Sequence, residues 1–327
     1  MADSPLADGP VQVRILSNGA AVPESLQIVS VVVERELDRV ASATLVLLDG
    51  DMPEGTFPVS DDTLFVPGAI LRIEAGHGDR LEGIFEGPVV RHGIAVSEDN
   101  SARLEVTCQD AAVGLTVGRR CRLFEEVTDA DLVRSLAQDA GLRVSCDATT
   151  VKHAAILQHD CTDWDFLLTR ADANGLVVAT DDGTLRCTAP TFADGPVLTV
   201  TWGVDLLAFE GDVDARTQFS TVTSHGWDPG SLEVLDGSAP AETGPEQGNL
   251  SAASLAGVLG LGDFRLQTPA PLGADELTQW AKAQQVRSAL ARVRGRMTFQ
   301  GSALVRPGVL IEVRGVDDLQ LFMQLIW

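Results

Sequence analysis

Between Gln158 and Cys187 the chain reads QHDCTDWDFLLTRADANGLVVATDDGTLRC, a stretch rich in residue types that could do chemistry. His159 and Cys161 stand two apart. On a strand that spacing turns both side chains to one face, so a thiol nucleophile with an imidazole base is the first chemistry to weigh. No glycine-rich oxyanion loop is evident and no orienting Asn or Asp can be singled out, so a buried thiol beside a surface histidine is the better reading. Asp160, Asp163 and Asp165 resemble the start of a calcium loop, which would require Gly at its sixth place and Glu at its twelfth. Counted from Asp160, those places hold Asp165 and Ala171, and calcium is rejected. Asp181 and Asp182 could form an acid–base pair, but they lie in a Gly-containing turn, where a plain hairpin is favoured.

The remaining candidates are weaker. His77, His92, His153 and His225 are scattered, with no HExxH and no metal-ligand spacing. There is no G-x-S-x-G, no P-loop and no GxGxxG before a helix. Arg119-Arg120-Cys121-Arg122 and the set Arg287, Arg292, Arg294 and Arg296 are the basic clusters. They fit salt bridges within or between subunits, with docking to another protein as the alternative. No catalytic, cofactor-binding or metal-ligating residue is assigned, and no cofactor is expected.

Composition narrows the function classes. The 327 residues carry 47 acids against 24 bases, a net charge of −23. A nucleic-acid binder needs a basic stripe, which this balance argues against. The start, MADSPLADGPVQV, lacks the basic and apolar regions of a secretory signal, and no apolar run approaches the ~18 residues of a membrane span. Synthesis in the cytoplasm without a signal peptide, and no membrane segment, are expected. Cys108, Cys121, Cys146, Cys161 and Cys187 are odd in number and widely spaced, which fits buried reduced thiols better than a disulfide scaffold or a zinc site.

The elements that must position these residues fall into three styles. Val11–Ile15, Leu26–Glu34, Ser42–Leu48, Ala69–Ala75, Leu81–Val90, Ile94–Ser97 and Arg103–Gln109 alternate with period two and read as strands, with turns at Gly76–Gly78 and Glu98–Asn100. At Thr128 a capping-box-like start opens a helix faced by Leu132, Val133, Leu136, Ala137 and Ala140 and stopped by Gly141. Leu142–Cys146 is then a short strand. Thr162 and Asp165 cap a second helix, with Trp164, Leu167, Leu168 and Ala171 inward and Gly175 at its end. Leu176–Thr180 and Thr184–Thr188 form a hairpin through Asp181-Asp182-Gly183. Strands return at Val197–Trp202, Val204–Val213 and Gln218–Trp227. Residues 236–262 read as a long loop, Asp275–Leu290 as a helix faced by Trp280, Ala283, Val286 and Leu290, and Arg296–Gln300, Val309–Val313 and Leu319–Ile326 as closing strands.

This predicts a mainly β fold with an α+β insertion. A first β-barrel occupies residues 10–118, a small α+β domain 119–196, and a second β-barrel 197–327 with a loop-and-helix insertion at about 231–291. One echo supports duplication. Val66-Pro67-Gly68 and Arg306-Pro307-Gly308 each precede an aliphatic alternating strand closed by Gly, at Gly76 and Gly315.

The opening stretch resembles a family signature. Gln158, Asp163, Asp165-Phe166-Leu167, Arg170, Ala171 and Gly175 are similar to a motif of the late control protein D and Vgr group, the hubs of contractile tails. Ile84-Phe85-Glu86-Gly87 and Leu104–Asp110 resemble that family's first-barrel hairpins, and Asp131–Gly141 its small helical unit. Val222–Asp228, Trp280-Ala281, Arg287-Ser288 and Arg306-Pro307-Gly308 resemble its second barrel and final helix. The resemblance implies a phage baseplate-hub-like fold of two similar antiparallel barrels. It implies a non-catalytic homotrimer whose six barrels join a threefold spike to a sixfold inner tube. The implied partners are the inner tube protein, a separate spike or needle protein and other baseplate proteins, within a phage-tail-like particle. The residues after Gly315 depart from the family by lacking its Phe-x-Gly step. A cell-wall glycan hydrolase using Asp181 and Asp182, and a carbohydrate-binding β module, are the alternatives.

Overall fold

The computed structural model describes residues 4–5, 9–78, 80–98, 101–191, 195–241, 250–260, 262–316 and 322–324. The fold is mainly β with a few helices, as the alternating runs predict. Parts of the expected turn at 98–100, of the 236–262 segment and of the closing strand at 319–326 lie outside the described residues.

The first seven strands are β1 (Val11–Ser17), β2 (Ala20–Ala21), β3 (Ile28–Glu34), β4 (Ser42–Asp49), β5 (Ile70–His77), β6 (Arg80–Val96) and β7 (Ala102–Gln109). They form one antiparallel sheet in the order β2-β1-β5-β6-β7-β4-β3. The two strands expected at 81–97 are one continuous element. β6 pairs with β5 up to Pro88 and with β7 from Val89, and its register shifts between Val89 and Arg91. Gly87 sits just before the change of partner. A Cβ there would collide with the Gln109 carbonyl oxygen, so only glycine admits this close approach. Leu45, Leu47, Phe65, Leu71, Ile73, Leu104 and Val106 fill the core under the sheet. Fully burying each such side chain contributes about 1.5–3 kcal/mol.

Next come β8 (Arg120–Thr128), α1 (Asp129–Asp139), β9 (Arg143–Cys146), β10 (Lys152–Cys161), α2 (Asp163–Ala173), β11 (Val177–Asp181) and β12 (Thr184–Thr188). Thr128 accepts from the Asp131 amide, and the Asp131 carboxylate accepts from the Thr128 amide, a complete capping box. Gly141 (φ 73°) and Gly175 (φ 68°) take the left-handed stop conformation. Two faces need amendment. Ala140 is exposed, because the helix has already ended at Asp139, and Phe166 is buried, stacked 5.9 Å from Phe124. Asp182 (φ 49°) and Gly183 (φ 73°) make the two-residue hairpin loop expected between β11 and β12.

The rest comprises β13 (Leu198–Thr201), β14 (Leu206–Val213), β15 (Thr221–Asp228), β16 (Glu233–Pro240), α3 (Ala252–Val258), β17 (Asp263–Thr268), α4 (Ala274–Leu290), β18 (Val293–Phe299), β19 (Leu310–Arg314) and β20 (Phe322–Gln324). β14 and β18 pair antiparallel as a two-stranded sheet across the intervening elements, β16-β15-β17 form a small sheet, and β13-β19-β20 another. The 236–262 segment is therefore not a loop throughout. Its small residues face α4: a Cβ on Gly237 would collide with the backbone of Leu277 and Thr278. The buried residues of α4 also differ from the predicted face. They are Leu277, Ala281, Ala283, Gln285 and Ser288, because the helix packs on β15 and β16 and also touches α2.

The Pro-Gly echo is real at the level of the turn. Ala69 N donates to Val66 O (3.0 Å) and Val309 N to Arg306 O (3.2 Å). Gly68 (φ 96°) and Gly308 (φ 87°) hold the left-handed position of the same turn type, and β5 and β19 leave it alike. The neighbours differ. β1 runs antiparallel to β5, whereas β13 runs parallel to β19, and β15 and β17 are also parallel. The later β region is thus mixed rather than wholly antiparallel.

Candidate functional site

The residues with chemical potential in the opening stretch are structural partners of one another. Gln158, fully buried, donates to Asp163 Oδ1 (2.8 Å) and to the Cys161 carbonyl (3.1 Å). Asp160 takes a left-handed conformation (φ 44°) within the register shift between Gln158 and Cys161. That shift breaks the simple alternation on which a His159–Cys161 pair depended. Gln158 thereby ties the irregular strand end to the start of α2, and Thr162 caps that helix through the Asp165 amide (3.0 Å).

Four arginines of the basic clusters resolve in the same way. Arg119 lies 3.3 Å from Asp160, Arg120 3.4 Å from Asp163, Arg122 2.9 Å from Asp139, and Arg287 pairs with Asp172. These are pairs within the chain. Cys108 and Cys187 are buried, but Cys121 is exposed, because β8 and β10 form a two-stranded sheet of their own. All five thiols are free.

One polar cluster was not foreseen. Arg170, at the motif position on α2, grips Asp129 through Nε–Oδ1 (2.6 Å) and Nη2–Oδ2 (3.0 Å). Asn174 Nδ2 donates to the same carboxylate (2.8 Å). His153 places Nε2 3.1 Å from Asp129 Oδ2 and Nδ1 3.2 Å from Glu276 Oε1 on α4. Burial pushes the Asp129 carboxyl up, but the Arg170 hydrogen bond and charge, with Asn174 and His153, outweigh it and hold the group below the usual carboxylate range. The cleft beside it, which reaches Trp280, encloses about 130 Å³. That is small beside the ~300–1,000 Å³ of ordinary ligand sites. Among the described residues no group of three or more His, Cys, Asp or Glu is arranged to hold a metal.

The second junction centres on Asp181. Arg306 donates to its Oδ2, and Arg35 Nη2 lies 3.5 Å from Oδ1. Arg35 also donates to the Ile84 carbonyl. Around this point Ala41 N donates to Thr180 Oγ1 (2.8 Å), and Gly183 N to Asp110 Oδ2 (2.9 Å). The β11–β12 hairpin is thus the meeting point of the first sheet and the Pro307-Gly308 turn. Burial, then the neighbouring Asp181 charge, pushes the Asp182 carboxyl up.

What stays unpartnered is apolar strand surface. β3 is an outer strand of the seven-stranded sheet, and Ile28 (37%), Val29 (47%) and Val32 (50%) are exposed on it. The strand, IVSVVVE, has no Lys and no Pro to discourage edge pairing. Leu123 and Leu157 face each other across β8 and β10, both more than half exposed. Among the described residues, no helix is long and apolar enough to cross a membrane.

A family model described as the Alg8 N-terminal domain matches residues 7–319, rather than a model of the late control protein D and Vgr group. No protein of curated function matches the sequence. The chain is similar in fold to the 43 kDa tail protein of prophage MuSo2 from Shewanella oneidensis, at 14% identity and a TM-score of 0.65, covering 95% of this chain and 90% of that one. A tail protein from Neisseria meningitidis MC58 gives 17% and 0.64, covering 94% and 86%. An E. coli component of the type VI secretion system, described as similar to the T4 tail proteins gp27 and gp5, gives 14% and 0.52, covering 93% and 67%.

Proposed function

We propose, from the premise that the chain belongs to the Alg8 N-terminal domain family, that it is a non-catalytic structural hub of a phage-tail-like contractile injection machine. The observation that carries this reading is the similarity in fold to tail proteins over nearly the whole chain. Fold alone does not fix function. Two further features support the assignment. The polar clusters at Asp129 and Asp181 are internally paired, and apolar strand surface is left open at β3 and at Leu123–Leu157. In this reading residues 10–118, 119–196 and 197–327 are three units. Three copies close into a ring whose barrels face a sixfold inner tube on one side and a separate threefold spike on the other. Other baseplate proteins bind its rim, and the assembled particle is released from the producing cell or injected.

A glycan hydrolase acting through Asp181 and Asp182 is disfavoured, because Asp181 is already engaged by two guanidinium groups. Negative-stain imaging of the purified chain with its tube protein tests the hub reading. The expected particle is a ring of about six lobes on a threefold axis; isolated globular monomers under the same conditions would refute it.

A further inference from the structure

Cys146 and Cys187 end two neighbouring parallel strands, β9 and β12, and are register partners. Asp147 N donates to the Cys187 carbonyl (2.9 Å), which locks the pair in place. Adjacent strands lie ~4.8 Å apart, inside the ~4.4–6.8 Å Cα separation that a disulfide spans. Residues paired across neighbouring strands turn their side chains to the same face, so the two thiols lie side by side. Cys187 is fully buried, and Cys146 is half-buried at the strand end, within reach of solvent.

We propose that Cys146 and Cys187 are a peroxide-responsive thiol pair that closes to an intramolecular disulfide. Cys146 is the attacking sulfur. The neighbouring Cys187 thiol holds its pKa below the ordinary thiol value; burial and the Asp147 and Asp131 carboxylates oppose this, and the Arg134 guanidinium reinforces it. Cys187 is pushed up, by the Cys146 hydrogen bond and by burial, and keeps its proton. The Cys146 thiolate attacks one oxygen of hydrogen peroxide: an S–O bond forms, the O–O bond breaks, and the leaving hydroxide takes a proton from solvent to become water. The Cys187 sulfur then attacks the Cys146 sulfenic acid. The S–S bond forms, the S–O bond breaks, and the hydroxyl leaves as water with the Cys187 proton. Two thiols are oxidised as one peroxide is reduced. The bridge closes a loop that contains β10, α2 and β11, so it stabilises this unit when the chain meets an oxidising medium.

The test uses the full chain carrying Cys121→Ser, since the exposed Cys121 could cross-link copies; four thiols remain. Hydrogen peroxide is added, remaining thiols are alkylated in denaturant, and peptides are mapped by mass. The expected result is a Cys146–Cys187 cross-linked peptide that reductant splits, with a higher unfolding midpoint for the oxidised chain. A Cys187→Ala variant is expected to carry Cys146 on to sulfinic acid. The proposal is overturned if Cys187 remains alkylatable while Cys146 is sulfinic acid, or if neither sulfur reacts. The map of the chain with both cysteines intact decides even if Cys187→Ala does not fold.

Discussion

Arg306 and Asp181 are 125 residues apart and form an ion pair, and Arg35 approaches the same carboxylate from the first sheet. One half-buried anion therefore holds an arginine from each β region, Arg35 just past β3 and Arg306 in the turn before β19, against the β11–β12 hairpin. Asp181→Asn leaves two guanidinium groups without the anion they share, although the Asp182 charge still attracts both. Burial already disfavours the charged form of Arg35, with Asp181 the largest opposing influence. The expected loss is about 2 kcal/mol, read as a lower urea midpoint. An unchanged midpoint would show that solvent screens the junction.

Asp129 gives a pH-dependent test. Its folded pKa is depressed, so its contribution is complete above the unfolded carboxylate value of about 3.9 and is lost as pH falls through the lower folded value. Asp129→Asn should cost about 3 kcal/mol at neutral pH, because Arg170 is left without its anion. The gap between the two proteins should narrow below about pH 4. Thermal melts of both across that range check the sign.

The twin turns supply a matched pair of substitutions. A Cβ on Gly68 or Gly308 meets nothing within 4 Å, so alanine there tests backbone conformation alone. Both glycines have left-handed φ, and each substitution should cost about 1 kcal/mol. A large difference between them, by chemical denaturation, would mean that the two turns do not do equivalent work.

Gly237→Ala acts differently, since its Cβ would meet the α4 backbone. Overpacking of this kind costs about 1–3 kcal/mol. Limited proteolysis should then open the chain around α4 while the β1–β7 sheet stays resistant. Equal resistance in both regions would contradict the packing of α4 on β16.

The sequence made local structure legible and long-range polar pairing illegible. Thr128, Thr162, Gly141, Gly175 and the Asp182-Gly183 loop announce themselves, because each signal is completed within a few residues. The partner of Arg170 is 41 residues away, and that of His153 lies on α4, so no spacing marks either. The face of α4 was misread for a related reason. A helix packed on two sides buries Ala281 and Ser288 beside the expected Ala283, and small residues give no apolar stripe. The same small residues on the facing strand made Gly237 and Ala239 look like loop.

The hub account is tested most directly by mass in solution, from sedimentation or light scattering of the purified chain across micromolar concentrations. It predicts three times the 34.6 kDa of one chain. A stable 34.6 kDa species throughout that range would contradict it.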